Sequence, residues 1–133
     1  MVNPQDLTQK QTEQEQIIQE LKEFTGTEAY HKASFFGNLV LTDGMNYLRN
    51  RLNCFWLVDI VASVQHLKSI KNNDFIVWII EVKKDKSFKV SAWNDTPYES
   101  DLLYEQEGRY TDFPLDRFEF YQEGEVLLLK SEH

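Results

Sequence analysis

Three polar side chains in the middle of the chain are of the types found in a hydrolytic triad. Asp59, Ser63 and His66 are spaced at i, i+4 and i+7, so a helix would place them on one face. Serine hydrolases, however, hold the nucleophile on a strained turn beside an oxyanion donor, whereas this helix would be regular. A polar stripe that faces solvent explains the spacing more simply. We therefore predict no catalytic residue, and keep a small hydrolase or ligand-binding pocket between helix and sheet, around Asp59 and His66, as an alternative.

Potential metal ligands are scattered along the chain. The three histidines, His31, His66 and His133, are not spaced as paired ligands, and the one cysteine, Cys54, has no partner. The acid in "TDG" (42–44) is better explained as a helix cap, because a metal site needs three or four ligands. We predict no metal and no cofactor.

The phrase "FTGTE" (24–28) contains a glycine in a setting that could suggest a phosphate loop. A phosphate loop needs more than one glycine and a Lys-Ser or Lys-Thr after it, and neither is present. Gly26 is better explained as the residue that ends a helix in the left-handed conformation. We predict no nucleotide site there.

The negative charge of the chain is concentrated in its last third. The formal net charge is −8; residues 1–94 contain 11 acidic and 11 basic side chains, whereas residues 95–133 contain 11 acidic side chains against Arg109, Arg117 and Lys130. Such a surface repels nucleic-acid phosphates, so we predict no direct binding to DNA or RNA. It would attract a basic protein partner, or it would only keep the protein soluble.

The size and composition of the chain are those of one soluble domain. Its 133 residues are 41% hydrophobic and 14% aromatic, which is typical of a packed core. The single cysteine excludes a disulfide framework and favours a reducing compartment. The start of the chain has no signal-like apolar stretch, and no apolar run reaches the roughly 18 residues of a membrane span. We expect a cytoplasmic protein that binds no membrane.

We divide the chain into a flexible N-terminal leader over residues 1–12 and a single domain over residues 13–133. The leader is polar and lacks an apolar period, and no internal repeat or low-complexity linker divides the rest. Thr12 would cap the first helix, with Glu15 completing a capping box, and Gly26 would end it.

Two further helices are predicted after this one. Thr42 or Asp43 suits the N-cap of a helix over "GMNYLRNRL", and "CFWLVDIVASVQHLKSI" (54–70) has the apolar spacing of one long buried helix. Before them, residues 30–32 and 39–41 could form two short strands joined by a turn.

Beyond residue 73 the apolar period changes from 3.6 to 2, which predicts strands. "DFIVWIIEV" is apolar on both faces and predicts a central strand, whereas "RFEFYQ" and "VLLLK" would form a hairpin around "EGE". Helices followed by strands predict an α+β domain. Its N-terminal helices would pack, as one of two layers, on a C-terminal antiparallel β-meander of about five strands.

One face of the predicted sheet combines aromatic rings with carboxylates. Strand alternation places these side chains opposite the phenylalanines that the helices would cover. Aromatic residues surrounded by charge are common at protein-binding surfaces; an ordinary wet sheet face or a homodimer contact are the alternatives. The predicted binding surface consists of Trp93, Glu105, Glu107, Glu119, Tyr121, Glu123 and Glu125.

Five phrases occur in one order along the chain: "FTGTE", "LTDGMNYL", "FWLVDIVAS", "YTDFPL" and "VLLLKSE". In this order they resemble an uncharacterised family of small bacterial and phage proteins that is common in cyanobacteria. The resemblance extends from about Phe24 to Glu132. Family members often have further aromatic residues after "GTE" and a proline before the final "SE", where this chain has Ala29-Tyr30 and Lys130. The resemblance implies no activity and no catalytic residue, and its phage setting favours a role in host–phage conflict.

The sequence as a whole favours a non-catalytic protein-interaction module that presents an acidic, aromatic sheet face to a basic partner. In a phage-conflict version, the carboxylates would mimic DNA phosphates and occupy a nucleic-acid-binding protein. The hydrolase or ligand-binding pocket and a structural homodimer stay as the alternatives.

Overall fold

The computed structural model describes residues 4–94 and 101–133, and within them the side chains from residue 8 onward. The helices are α1 (Pro4–Lys22), α2 (Asp43–Arg51), α3 (Phe55–Ser63) and α4 (Lys68–Lys71), and a turn of 3₁₀ helix (Lys130–Glu132) ends the chain. The strands are β1 (His31–Lys32), β2 (Val40–Leu41), β3 (Phe75–Val82), β4 (Phe88–Trp93), β5 (Leu102–Gly108), β6 (Arg117–Glu123) and β7 (Val126–Leu128). None of the helices described is both long and apolar enough to cross a membrane.

The strands form one sheet in the order β1-β2-β7-β6-β3-β4-β5. The predicted α+β class is confirmed. Within residues 4–94 and 101–133, however, the sheet has seven strands, contains the parallel pair β2–β7, and is not a simple meander, because β6 pairs with β3. Strand β3 is apolar on both faces, so a place between β4 and β6 suits it. Strand β5 alternates exposed and half-buried residues and can therefore end the sheet.

The helices pack on one face of this sheet. Trp78, Ile80, Val90 and Phe120 alternate toward the helices and are fully buried. They share one core with buried side chains of all four helices, namely Ile17, Leu21, Met45, Leu48, Leu57, Val58, Val61 and Ile70. The sheet and the helices are therefore two layers around one core.

Helix α1 begins at Pro4, so the predicted cap at Thr12 is wrong. Thr12 lies inside the helix, where its hydroxyl donates to the carbonyl oxygen of Thr8 at 2.9 Å. Proline is tolerated in the first turn of a helix, and the Gln, Lys and Glu residues that follow are good helix formers. The amide of Gln14 ties α1 to the loop before β6 by donating to the Pro114 carbonyl oxygen at 2.9 Å. The flexibility of residues 1–12 stays a prediction.

The predicted long helix over residues 54–70 is two helices separated by a turn. A hydrogen-bonded network lies at this break. The indole N–H of Trp78 donates to the Gln122 amide oxygen at 3.0 Å, and the amides of Gln122 and Gln65 bond to each other at 2.7 and 3.2 Å. A buried indole needs a hydrogen-bond partner, and the turn that carries Gln65 completes the network around it.

The two short strands predicted near residues 30–41 are confirmed as the antiparallel pair β1–β2. Thr42 is the N-cap of α2, since its hydroxyl accepts a hydrogen bond from the Met45 N–H at 3.3 Å. Both were predicted from local signals, a turn between apolar residues and a capping side chain.

Candidate functional site

The structure does not assemble the triad-like stripe into a catalytic site. Asp59 and Ser63 lie on α3, which ends at Ser63, and His66 lies in the turn that follows. All three residues are exposed, and the Ser63 hydroxyl donates to the Ile60 carbonyl oxygen at 2.7 Å. No Asp–Ser–His hydrogen-bonded chain exists among them.

An apolar groove between helix and sheet lies elsewhere on the molecule. It has a volume of about 260 Å³ and lies where α1, β6 and the C-terminal segment meet. Neither Asp59 nor His66 lines it, so the groove gives no support to a pocket around those two residues. Its lining consists of Ile18, Leu21, Lys22, Phe118, Glu119, Leu129, Lys130 and Ser131.

The carboxylate of Glu132, next to the last residue of the sequence, binds the N-terminus of α2. Glu132 accepts hydrogen bonds from the Thr42 hydroxyl (2.6 Å), the Gly44 N–H (3.1 Å) and the Leu129 N–H (3.0 Å). Gly44 permits this approach, because a Cβ there would lie 2.5 Å from Glu132 Oε1. A negative charge is also favourable at the positive end of a helix. The terminal "SE" and the "TDG" phrase thus form one structural unit.

Asp43, at the start of α2, is held by the loop that follows α1. Its carboxylate accepts from the Glu28 N–H at 2.9 Å and lies 2.8 Å from Nε2 of His31, and its own N–H donates to the Thr27 hydroxyl at 2.8 Å. The hydrogen bond from the Glu28 backbone, followed by that from His31, holds the pKa of the Asp43 carboxyl below its ordinary value. Asp43 is therefore an ionised structural anchor at neutral pH.

A shallow cavity lies beside Asp43. It is an open depression of about 420 Å³ lined by residues 23–28 and Asp43. The hydroxyl of Thr27, one of the two threonines that line it, donates to the Ala29 carbonyl oxygen at 2.6 Å. Among residues 4–94 and 101–133, no group of three or more His, Cys, Asp or Glu side chains is arranged to hold a metal ion.

Cys54 is a buried thiol at the start of α3. Its Sγ lies 3.7 Å from the Leu48 carbonyl oxygen, to which it can donate. Burial raises the pKa of this thiol to about 12, so it carries no thiolate at neutral pH. It is therefore a core residue and not a nucleophile.

The face of the sheet opposite the helices, which we call the outer sheet face, holds most of the predicted binding residues. Within the part of the chain that the structure describes, all buried apolar helix side chains pack on the other face. Alternation in β3–β6 gives the outer sheet face Phe75, Val77, Ile79, Glu81, Lys89, Ser91, Trp93, Glu105, Glu107, Arg117, Glu119, Tyr121 and Glu123. Of the predicted surface, Glu125 alone lies off this face, in the turn after β6.

Aromatic rings cover the middle of the outer sheet face. Val77 of β3 lies between Trp93 of β4 and Tyr121 of β6 in the register and is only 3% exposed. The Tyr121 ring centroid lies 5.0 Å from that of Phe75 and 5.1 Å from that of His133. The sheet therefore buries part of its second face with its own aromatic side chains.

The carboxylates on β6 have partners close by in the chain. Glu119 is 2.7 Å from Nη2 of Arg117 and 2.5 Å from Nζ of Lys130. Glu123 lies 2.7 Å from Nε2 of His133. This half of the outer sheet face is therefore less acidic than the sequence suggests.

The carboxylates on β5 are not compensated in this way. Glu105 and Glu107 are exposed, and neither forms an ion pair or a side-chain hydrogen bond with any described residue. Glu105 faces Ser91 in the register and Glu107 faces Lys89. Glu81 of β3 also lacks an ion pair among the described residues, but it faces Lys89 and Arg117 in the register, so the unpaired negative charge of the outer sheet face is greatest at the β5 edge.

An exposed aromatic pair escaped the analysis of the sequence. Phe35 and Phe36 lie in the loop between β1 and β2 and are 89% and 80% exposed, with their ring centroids 5.3 Å apart. The signal was "SFFGN": two phenylalanines in a turn beside Gly37, whose φ is +85°. Because a turn between two short strands lies mostly at the surface, the exposure of these rings could have been predicted.

Comparisons with known proteins support the family and no specific role. No curated protein and no solved structure matches the chain. One family model matches residues 15–133, which is nearly the whole chain. The matched residues include all five phrases of the sequence resemblance and the hydrogen-bonded network around Glu132. The chain belongs to DUF6876, a family of unknown function.

Proposed function

We propose that this chain is a non-catalytic interaction module that binds a basic segment of a partner protein on the β4–β5 half of the outer sheet face. One observation carries the proposal: Glu105 and Glu107 are unpaired on the same half of the outer sheet face as Trp93, and no described helix covers that face. Charged side chains around a partly exposed aromatic ring, such as that of Trp93, are typical of protein-binding surfaces.

The position of the uncompensated charge favours a cationic partner. Because Glu119 lies between Arg117 and Lys130, and Glu123 contacts the His133 ring, the field that reaches solvent comes mainly from Glu105 and Glu107. Exposed ion pairs contribute only about 0.2–1 kcal/mol each, so the affinity should be modest. Screening over roughly 8 Å at physiological ionic strength should make it strongly salt-dependent.

Trp93 supplies the apolar part of this surface. Its indole N–H donates to the Ser91 hydroxyl at 3.0 Å, which holds the ring in one orientation. Leu102, opposite Trp93 on β5, is 45% exposed. A Lys or Arg of the partner could stack on the indole while its charge is near Glu105, an arrangement that adds about 0.5–1 kcal/mol at exposed sites.

The phosphate-mimic version of this function has less support than a protein-binding face. A DNA mimic needs an extended row of free carboxylates, and those on β6 are paired. The phage setting of the resemblance still suits a module that acts in host–phage conflict. The unpaired, buried Cys54 fits the reducing cytoplasm as the place of action.

Differential capture from a source-cell lysate tests the proposal. The wild-type chain should retain a basic protein at low salt and release it at high salt. A Glu105→Gln/Glu107→Gln chain and a Trp93→Ala chain should lose that protein. An Asp112→Asn/Glu125→Gln chain, which removes the same charge from two exposed positions off β5, should keep it. Equal retention by the two double variants, or retention that high salt does not change, would contradict the proposal.

A structural homodimer is the alternative use of the same face. It would bury Trp93 and Tyr121 against a second copy. Sedimentation of the wild-type chain separates the two functions, because a strict monomer at high concentration excludes the homodimer. A dimer that survives Trp93→Ala would show that any self-association uses another surface.

A further inference from the structure

Strand β5 is a long edge strand of the sheet, and α4 lies close to it. It has seven residues and, in the described part of the chain, pairs with β4 alone. An edge strand presents a row of unpaired N–H and C=O groups that can form a ladder with another chain. The opposite edge, β1, has only two residues and offers far less backbone.

We infer that β5 accepts an extended, basic peptide segment of a partner protein as an eighth strand. This inference rests on the proposed function and states how the partner would be held. Main-chain hydrogen bonds would supply the part of the affinity that does not depend on the peptide sequence. Alternate side chains would supply the selectivity for basic residues.

The charges of β5 select for basic residues at alternate positions. Glu105 and Glu107 are two residues apart, so both project from the outer sheet face. Side chains directly opposite each other on adjacent strands have Cβ atoms roughly 4.5–5.5 Å apart, which brings Lys or Arg of an added strand within reach of each carboxylate. The cation Lys89 lies beside Glu107 on β4, so Glu105, which faces the neutral Ser91, should dominate.

The C-terminal end of β5 limits the basic stretch. Arg109 is exposed just beyond Gly108, and a cation placed opposite it would be repelled. At the other end, Leu102 is exposed and suits an apolar side chain of the peptide. The fitting segment therefore has one or two Lys or Arg residues at alternate positions, followed on the Leu102 side by an apolar residue.

The same carboxylates disfavour a second copy of this chain as the occupant. An antiparallel β5–β5 pairing centred on Gln106 would place Glu105 of each copy opposite Glu107 of the other. Like charges directly opposite each other destabilise a strand pair. The occupant is therefore a basic segment of a different protein.

A synthetic strand tests the inference directly. The probe is a seven-residue peptide, TKTKTVT, capped at both ends and labelled for fluorescence anisotropy. In an antiparallel pairing its two Lys residues would lie opposite Glu107 and Glu105, and its Val would lie on the Leu102 side. The control peptide has the same sequence and charge, with N-methyl groups on alternate backbone nitrogens of the edge that would face β5. We expect the plain peptide to bind at low salt, the N-methylated peptide to bind at least tenfold more weakly, and the β5 amides to gain protection from hydrogen exchange only with the plain peptide.

Variants of the chain distinguish strand addition at the β5 edge from binding on the outer sheet face. The Glu105→Gln/Glu107→Gln chain should bind the plain peptide about tenfold more weakly, since two exposed ion pairs are lost, while Asp112→Asn/Glu125→Gln should bind it as wild type does. Equal binding of the two peptides, with no new protection on β5, would overturn strand addition and leave binding on the outer sheet face standing. Failure of both peptides to bind would overturn both proposals. A wild-type dimer with protected β5 amides would assign the edge to a second copy and overturn the inference.

Discussion

The N-terminus of α2 and the edge strand β5 use the same kind of side chain in opposite ways. At α2, Glu132 accepts three hydrogen bonds and Asp43 accepts two, all from groups of this chain. At β5, the carboxylates of Glu105 and Glu107 form no ion pair and accept no hydrogen bond from any described residue. The carboxylates at α2 hold the fold together, whereas those at β5 are available to another molecule.

The difference shows that a residue type does not by itself reveal a site. Asp43 and His31 are residue types that often form catalytic pairs. Here, however, the hydrogen bonds of Asp43 go to the loop that follows α1, and they hold that loop to α2. A carboxylate whose hydrogen bonds are complete contributes to stability. A carboxylate without partners on an uncovered face contributes to recognition.

Removing the carboxylate at α2 should have the largest effect on the fold. Glu132→Ala leaves the Gly44 N–H, the Leu129 N–H and the Thr42 hydroxyl without their partner, so we expect the free energy of unfolding to fall by about 2–4 kcal/mol. Urea unfolding followed by circular dichroism measures it. Glu125→Ala, an exposed control, should change it by at most about 0.5 kcal/mol. Equal effects of the two variants would mean that Glu132 is not an anchor.

The charge of Asp43 should make its contribution depend on pH. Its pKa is lowered in the folded chain, so its stabilising effect is present above the ordinary pKa of an aspartate and is lost as the pH falls through the lower, folded value. Asp43→Asn should therefore be less stable than wild type at pH 7, and the difference should close below about pH 4. Urea midpoints of both chains across this range provide the measurement. A difference that stays constant with pH would exclude the ionised anchor.

Reversing one charge at β5 should change association and leave the fold intact. In an antiparallel pairing centred on Gln106, Glu105→Lys places a cation opposite Glu107 of a second copy, twice per dimer. We expect this variant to self-associate in sedimentation, while its thermal midpoint extrapolated to low concentration stays near that of wild type. Glu105→Gln, which removes repulsion without adding attraction, should associate less. A monomeric Glu105→Lys chain would show that the β5 edge is not open to pairing.

The exposed phenylalanine pair should contribute least to stability. Because Phe35 and Phe36 are almost wholly exposed, changing both to serine should alter the free energy of unfolding by at most about 0.5 kcal/mol. Leu39→Ala, in the same hairpin but 6% exposed, should cost about 2–4 kcal/mol. Urea unfolding of the three chains compares them. A large loss from the double serine variant would show that the rings pack against the protein.

Local signals in the sequence were sufficient for several elements. The turn between residues 32 and 40, the Thr42 cap and the two-residue period of β4 and β6 each depend on neighbours within a few positions, and the structure confirms them. The apolar run of β3 was sufficient to place it inside the sheet.

Errors arose where a distant contact overrides a local pattern. Apolar spacing continues past Ser63, but the helix ends there, at the turn that places Gln65 beside Gln122 and Trp78. The predicted meander was wrong because a meander pairs only consecutive strands. In the sheet, β6 pairs with β3, although β4 and β5 lie between them in the sequence. The role of Glu132 was missed because its partners at Thr42 and Gly44 lie about ninety residues earlier in the chain.

The amino-acid order alone was enough for the α+β class, the two faces of each strand and the total of negative charge, because periodicity and composition are properties of neighbouring residues. The tertiary structure decided which carboxylates form ion pairs and which stay unpaired. Ion pairing requires two side chains within a few ångströms, and the strand order brings cations to Glu119 while it leaves Glu105 at an open edge.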